Sequence, residues 1–244
     1  MKYILSEKYN KKELMEKQMG PNPIKLEEEL LKNSEITDNK IGKKLTVLDL
    51  GSGMGVTSVF LAKEFNFKVY AADLWSEPEE NKKFFKSMGL TSEQIIPVKA
   101  DALNLPFEKE FFDAVVCVDS YNYFGRDEKF LDEKLLPFVK NGGYIYIAVS
   151  GMKKDCHSNL PKELLLSWTP EQMEYMHDIK YWSDIISKSE DCEIINISEM
   201  QSNEEVWNDW IKQENEYAVG DRKSVEAGGL KYLNFIKIVL RKNK

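Results

Sequence analysis

The sequence predicts an α/β protein built on a doubly wound, mostly parallel sheet. Short apolar runs rich in β-branched residues alternate with amphipathic segments along the 244 residues, as parallel strands joined by crossover helices do. The first five runs are almost continuous in Val, Ile and Leu, which strands covered on both faces require. The run VLDLGSGMG at 47–55 places a glycine-rich turn between a strand and a helix.

Seven strands and five helices follow from this pattern in chain order. The strands are predicted at 45–50, 68–72, 95–99, 114–118, 144–149, 193–197 and 235–240. The helices are predicted at 26–34, 56–65, 78–88, 127–139 and 180–189. Residues 1–25 and 151–179 break the alternation, so we expect one domain over 1–244 with an N-terminal helical cap (1–25), a ligand-binding core (40–150) and a lid insertion after strand 5 (151–179).

Composition limits which binding partners and which cellular compartment we expect. The formal charge of -7 disfavours nucleic acid and anionic membrane surfaces as main partners. Three widely spaced cysteines without a C-x-x-C pair disfavour a disulfide framework and a zinc site, so we expect no metal and a cytoplasmic location. No apolar stretch is long enough for a signal peptide or a membrane span, so we expect no stable membrane association. The oligomeric state is not predicted.

The glycine turn predicts a ligand site. Backbone N–H groups and a helix N-terminus meet there at the carboxyl edge of the sheet. A dinucleotide fingerprint would need glycine at position 56, where Val56 stands, and this disfavours a nicotinamide or flavin cofactor. No Gly-Lys-Ser/Thr follows, so the turn is not a P-loop.

Four further motifs follow the glycine turn. VYAADLW at 69–75 ends the second strand in Asp73, a carboxylate able to accept hydrogen bonds from both hydroxyls of a ribose. VKADALNLPF places Asp101 just after the third strand, where a side-chain acceptor can meet an adenine amino group. FFDAVVCVDSYNYFG places Asp119 and Ser120 at the end of the fourth strand. LPFVKNGGYIYIAV is a helix end, a Gly-Gly turn and the fifth strand.

In this order and spacing, over residues 40–150, the five motifs resemble those of class I S-adenosylmethionine-dependent methyltransferases. The resemblance implies a Rossmann-like sheet of seven strands whose last strand, in YLNFIKIVLRK, is antiparallel. It also implies that the cofactor is S-adenosyl-L-methionine and that the reaction is methyl transfer by in-line displacement.

The resemblance also implies roles for individual residues. Asp49 would orient the loop and the amino group of the cofactor, and Asp73 would bind the ribose hydroxyls. Asp119 and Ser120 would lie under the methionine end, facing the acceptor. The remaining implied cofactor contacts are Gly51, Ser52, Gly53 and Gly55 for the methionyl part, Leu74 and Trp75 beside the adenine, and Asp101 and Ala102 at the adenine edge.

The acceptor is predicted only as a small molecule. Methylases of base or amide nitrogens commonly carry Asp/Asn-Pro-Pro-aromatic after the fourth strand, and this chain has Asp-Ser-Tyr-Asn at 119–122. The candidate catalytic residues are Asp119, Tyr121 and the only two histidines, His157 and His177, which lie in the lid insertion. A histidine there would act as a base near neutral pH. The acceptor atom, O, N, S or C, stays open.

Other functions remain open beside this one. The same cofactor serves cyclopropane-synthase-like chemistry and quinone-type C-methylation, and a domain of this kind can also bind S-adenosylmethionine without catalysis. A nicotinamide oxidoreductase is the alternative that Val56 disfavours.

Overall fold

A seven-stranded mixed sheet forms the centre of the computed structural model, which describes residues 3–38 and 43–243. The strands are β1 (Thr46–Leu50), β2 (Lys68–Asp73), β3 (Ile95–Lys99), β4 (Phe112–Val118), β5 (Val139–Met152), β6 (Cys192–Glu199) and β7 (Leu233–Lys242). Their order is β3-β2-β1-β4-β5-β7-β6. The first five strands are parallel, and β7 runs antiparallel to both β5 and β6. The predicted fold class and the antiparallel last strand are therefore confirmed.

Nine α-helices occur in the described residues. They are α1 (Lys12–Met15), α2 (Pro23–Leu31), α3 (Val56–Glu64), α4 (Pro78–Ser87), α5 (Tyr121–Phe124), α6 (Pro170–Met173), α7 (Ile179–Ile186), α8 (Asn203–Trp210) and α9 (Glu216–Glu226). None of the helices in this part of the chain is both long and apolar enough to cross a bilayer.

Both faces of the sheet are buried, as the apolar strands require. Successive residues of β1 belong to different cores: Val47 packs with α3, whereas Leu48 packs with the cluster that contains Trp182 of α7. Side chains alternate across a strand, so each strand supplies both cores.

The sequence GPNP at 20–23 leads into the start of α2. The Asn22 side chain accepts a hydrogen bond from the Lys25 backbone N–H at 3.2 Å, and Pro23 occupies the first helical position. Both features favour a helix start. The helix therefore covers Pro23–Leu31 rather than the predicted 26–34.

The predicted regular helix over 127–139 is wrong. The chain forms a π-helical stretch at Phe130–Leu135 and a 3-10 turn at Leu136–Phe138, and β5 already begins at Val139. Pro137 lies in this stretch, and proline has no backbone N–H to continue an α-helix. β5 is longer than predicted because it pairs with β7 from Tyr144 to Met152.

Two helices between β6 and β7, α8 and α9, were not predicted. The sequence of α9, EYAVGDRKSVE, buries only Ala218, Ser224 and Val225, so it lacks a wide apolar stripe. The helix instead contacts the lid insertion: the Ser224 hydroxyl donates to the Leu164 carbonyl at 2.9 Å, and the Trp168 indole donates to Asp221 at 2.8 Å. Two separate segments thus cover this end of the sheet.

The buried Glu29 connects α2 to the segment before α8. Its carboxylate accepts hydrogen bonds from the backbone N–H groups of Gln201 (2.7 Å) and Ser202 (2.8 Å) and from the Tyr3 hydroxyl (3.1 Å). One side chain therefore joins three segments that are distant in the sequence.

Glu29→Ala is expected to destabilise the fold by on the order of 3 kcal/mol, because it leaves two N–H groups without an acceptor. Urea unfolding of the variant, with Glu193→Ala on the exposed face of β6 as the matched control, measures the loss. A loss equal to that of the control would contradict this role for Glu29.

Candidate cofactor and acceptor cleft

The glycine turn lies where the strand order reverses. β1 has β2 on one side and β4 on the other, so the turn between β1 and α3 opens into the crevice at this switch point. Gly51, Gly53 and Gly55 all have left-handed backbone angles, with φ of 76°, 52° and 82°. L-residues with side chains rarely adopt these angles.

The three glycines have different neighbours. A Cβ atom built on Gly51 would lie 2.2 Å from Ser120 Oγ, and one built on Gly55 would lie 2.4 Å from the Phe85 ring of α4. A Cβ atom on Gly53 would approach only the Met19 sulfur, at 3.0 Å. Gly51 and Gly53 line the cleft, whereas Gly55 allows α4 to pack closely.

Asp49 holds the first turn of α3. Its Oδ2 accepts hydrogen bonds from Thr57 Oγ1 at 2.7 Å and Ser58 Oγ at 2.5 Å. Burial raises the pKa of this carboxyl group to about 6, although both hydroxyl groups lower it. The predicted role in orienting the loop fits these contacts, because α3 begins directly after the glycine turn.

Asp73 closes the glycine turn from the neighbouring strand. Its Oδ2 accepts from the Gly53 N–H at 2.9 Å, and its Oδ1 accepts from the N–H groups of Trp75 (2.9 Å) and Ser76 (2.7 Å). The carboxylate also lines the cleft. Asn81 of α4, which the sequence did not single out, donates to the Gly53 carbonyl at 3.0 Å and holds the same turn from its other side.

Of the residues predicted to surround an adenine, Trp75 lines the cleft, whereas Leu74, Asp101 and Ala102 do not. Trp75 is 70% exposed, and Leu74 beside it is also exposed. Asp101 follows β3, the strand paired with β2, and accepts a hydrogen bond from the Leu103 N–H at 2.9 Å. Ala102 is buried.

Asp119 and Ser120 form the other end of the cleft. Ser120 Oγ donates to the Leu50 carbonyl at 3.0 Å, which joins the ends of β1 and β4. Asp119 has a left-handed φ of 56°. Burial raises the pKa of its carboxyl group to about 7, although a hydrogen bond from Ser150 lowers this pKa. Its Oδ2 would lie 2.4 Å from a Cβ atom on Gly20, so the chain passes directly over this carboxylate.

Three predicted catalytic residues lie outside this cleft. Tyr121 is buried against Phe130 and Trp182. His157 has both ring nitrogens engaged, Nδ1 at 2.7 Å from Asp155 and Nε2 at 3.0 Å from the Met173 carbonyl.

His177 stacks on Tyr181 at 3.5 Å, and burial lowers its pKa to about 4. Its imidazole is therefore neutral at pH 7.

The segment before α2 contributes residues that the sequence analysis did not assign to the site. Lys17, Met19, Gly20 and Pro23 line the cleft together with the glycine turn, and the cavity has a volume of about 170 Å³. The GPNP turn was the available signal, since a rigid turn next to the core can place a short segment over the sheet edge. No group of three or more His, Cys, Asp or Glu side chains arranged to hold a metal ion occurs within 3–38 and 43–243.

Comparison with known proteins agrees with this geometry. Residues 47–143 match the family described as a methyltransferase domain. This stretch runs from the glycine turn through the Gly-Gly turn of β5. This match supports a class I S-adenosylmethionine-dependent methyltransferase.

Individual relatives of the methyltransferase domain are distant. The chain is 32% identical to norajmaline N-methyltransferase of Rauvolfia serpentina, over 44% of this chain and 37% of the relative. It is also 32% identical to the chloroplastic tocopherol O-methyltransferase of Arabidopsis thaliana, over 59% of this chain and 41% of the relative. The chain thus spans about two fifths of the length of these curated relatives.

A solved phosphoethanolamine N-methyltransferase 2 of Haemonchus contortus shares the fold of the methyltransferase domain. It superimposes with a TM-score of 0.69 at 17% identity, over 99% of this chain and 59% of that chain.

A second buried carboxylate lies near Asp49. Glu27 of α2 is fully buried, and neither of its oxygens has a hydrogen-bond partner among the described residues. Burial, and secondarily the negative charge of Asp49, raise the pKa of Glu27 well above its usual value. The folded state therefore favours the protonated form of Glu27.

Glu27→Gln is expected to flatten the pH dependence of stability. A carboxyl group with a raised pKa in the folded state binds its proton more tightly there. It therefore lowers the free energy of unfolding by about 1.4 kcal/mol per pH unit as the pH rises from its unfolded pKa, about 4.3, towards its folded pKa. Gln removes this contribution.

Urea unfolding of the native protein and the variant between pH 4.5 and 8 measures the slope. Parallel curves would contradict a raised pKa at Glu27. Glu193→Gln on the exposed side of β6 serves as the control.

Proposed function

We propose that this protein transfers a methyl group from S-adenosyl-L-methionine to a small-molecule acceptor. The proposal is supported most directly by one continuous cleft, which joins the backbone of the glycine turn and Asp73 at one end to Asp119 at the other. S-adenosyl-L-methionine, when bound, supplies a methyl group on a positively charged sulfur.

The residues of the cleft fit this cofactor. The hydroxyl oxygen of Ser52 is buried and has no hydrogen-bond partner among the described residues, so it is available to a polar ligand. The cofactor is cationic at its sulfur and amino group, and two carboxylates, Asp73 and Asp119, line the cleft against one basic residue, Lys17. The Lys17 ammonium lies over the Phe84 ring, 4.9 Å from its centroid.

We assign the cofactor contacts accordingly. Asp73 would bind the ribose hydroxyls, and Asp49 would act through α3 and the glycine turn. The other proposed contacts are Gly51, Ser52 and Gly53 with the methionyl part, Leu74 and Trp75 beside the adenine, Asp101 and Ala102 at its edge, and Asp119 and Ser120 at the methionine end. Gly55 would contribute by packing against Phe85.

The acceptor would occupy the Asp119 end of the cleft. In-line displacement needs an acceptor atom held about 3 to 3.5 Å from the methyl carbon and shielded from water. Tyr123 and Gly20 line the cleft, Gly20 directly beside Asp119, and would provide the shielding. Norajmaline N-methyltransferase and tocopherol O-methyltransferase are named for small-molecule acceptors, which supports an acceptor of this size here.

The remaining expectations stay predictions. These are a cytoplasmic location, the absence of nucleic-acid partners and of stable membrane association, and one domain over the whole chain. The three cysteines have free thiols, which fits a reducing compartment.

Calorimetric titration with S-adenosylmethionine and with S-adenosylhomocysteine tests the proposal. Micromolar binding of both, followed by release of S-adenosylhomocysteine on addition of cell-extract metabolites, is expected. Binding without release would indicate a module that only binds the cofactor. No binding by the folded protein would contradict the proposal.

Asp73→Asn is expected to weaken cofactor binding at least tenfold, which corresponds to about 1.5 to 3 kcal/mol for hydrogen bonds to a charged group. Asn keeps one of the two acceptor oxygens, for either the Gly53 N–H or the N–H groups of Trp75 and Ser76, so it disturbs the glycine turn less than Ala would. Calorimetry compares this variant with Asp191→Asn, an exposed position before β6. Unchanged affinity in Asp73→Asn would exclude the ribose role.

A further inference from the structure

The acceptor end of the cleft carries a carboxylate, Asp119, that forms no ion pair with a basic side chain of the described residues. Asp119 lies within the electrostatic influence of a second carboxylate, Asp221 of α9, and this influence raises the pKa of Asp119 further. The hydrogen bond from Ser150 is neutral and leaves the charge in place. Lys17 is the only basic residue among the described residues that line the cleft, and its ammonium lies over Phe84 of α4.

The guanidinium group of Arg126, just after α5, makes its contacts with other groups. The Arg126 guanidinium lies over the Tyr175 ring at 4.3 Å, and it donates to the carbonyls of Asn122 (3.0 Å) and Glu174 (3.4 Å). Asp119 is not among its hydrogen-bond partners. A ligand that enters here therefore meets carboxylate charge.

Aromatic rings complete the acceptor end. Tyr123 lines the cleft with an exposed ring and contacts Tyr175, with centroids 5.3 Å apart. Asp221 does not itself line the cleft, and it accepts hydrogen bonds from the indoles of Trp168 and Trp210, both at 2.8 Å. These neutral donors fix the orientation of Asp221 without removing its charge.

A carboxylate and an aromatic face both favour a ligand that is a cation. An anionic acceptor would place a like charge against Asp119 and Asp221, which is unfavourable.

We propose that the methyl acceptor is a small molecule with a basic nitrogen, which the Asp119 carboxylate binds as an ammonium group beside the ring of Tyr123. This inference rests on the proposed methyltransferase function and specifies its substrate class. Asp119 is here a specificity residue, because its charge selects amines over alcohols and acids of the same shape.

The test uses three probes with one hydrocarbon frame: 2-phenylethylamine, 2-phenylethanol and 3-phenylpropionate. Each is titrated into the full chain saturated with S-adenosylhomocysteine, and saturation-transfer NMR measures its affinity. The amine is expected to bind at least tenfold more tightly than the alcohol, and the acid least tightly.

Asp119→Asn is the matched variant, because Asn tolerates the left-handed backbone at this position. It is expected to reduce amine affinity at least tenfold and to change alcohol affinity less than twofold. Asp191→Asn should behave like the native protein.

The outcomes separate this inference from the proposed function. If S-adenosylhomocysteine binds but the amine binds no more tightly than the alcohol, the amine proposal is overturned and the cofactor proposal stands. If the Asp119→Asn variant still binds the amine more tightly than the alcohol, the amine proposal is also overturned. Failure of the folded chain to bind S-adenosylhomocysteine would overturn both.

Discussion

The close approach of β1 to the end of β4 is the constraint on which the site depends. Ser120 donates to the Leu50 carbonyl, and its hydroxyl occupies the space where a side chain on Gly51 would stand. The two strands on either side of the switch point can meet this closely only because residue 51 is glycine. This approach brings the cofactor motif and the acceptor motif into one cleft.

The carboxylates around this junction have different environments and different uses. Asp73 accepts hydrogen bonds from three backbone N–H groups. Asp49 is buried and Asp119 is partly buried, and burial raises the pKa of each. The contacts therefore distinguish three roles. Asp49 holds α3, Asp73 closes the glycine turn, and Asp119 faces the proposed acceptor.

The site residues whose proximity the sequence could predict are those next to strand ends. Asp73, Asp119 and the glycine turn follow apolar strands directly, and the carboxyl ends of parallel strands meet at one edge, so their proximity follows from the strand assignment. The positions of His157 and His177 were harder to predict, because both residues lie in an irregular segment whose path depends on its tertiary contacts. In the structure, His157 contacts Asp155 and His177 stacks on Tyr181.

The sequence by itself determined the seven strands and the glycine turn, because strand burial and backbone angles leave a local signature in residue type. The antiparallel last strand was implied by the family resemblance. Only the tertiary structure decided that Met19 and Gly20 cover the cleft and that α8 and α9 support the lid insertion. These contacts join segments up to about one hundred residues apart, and the sequence of α9 carries no apolar stripe to indicate where that helix packs. The charge balance at Asp119 is equally a tertiary property, since it depends on Asp221 from a distant helix.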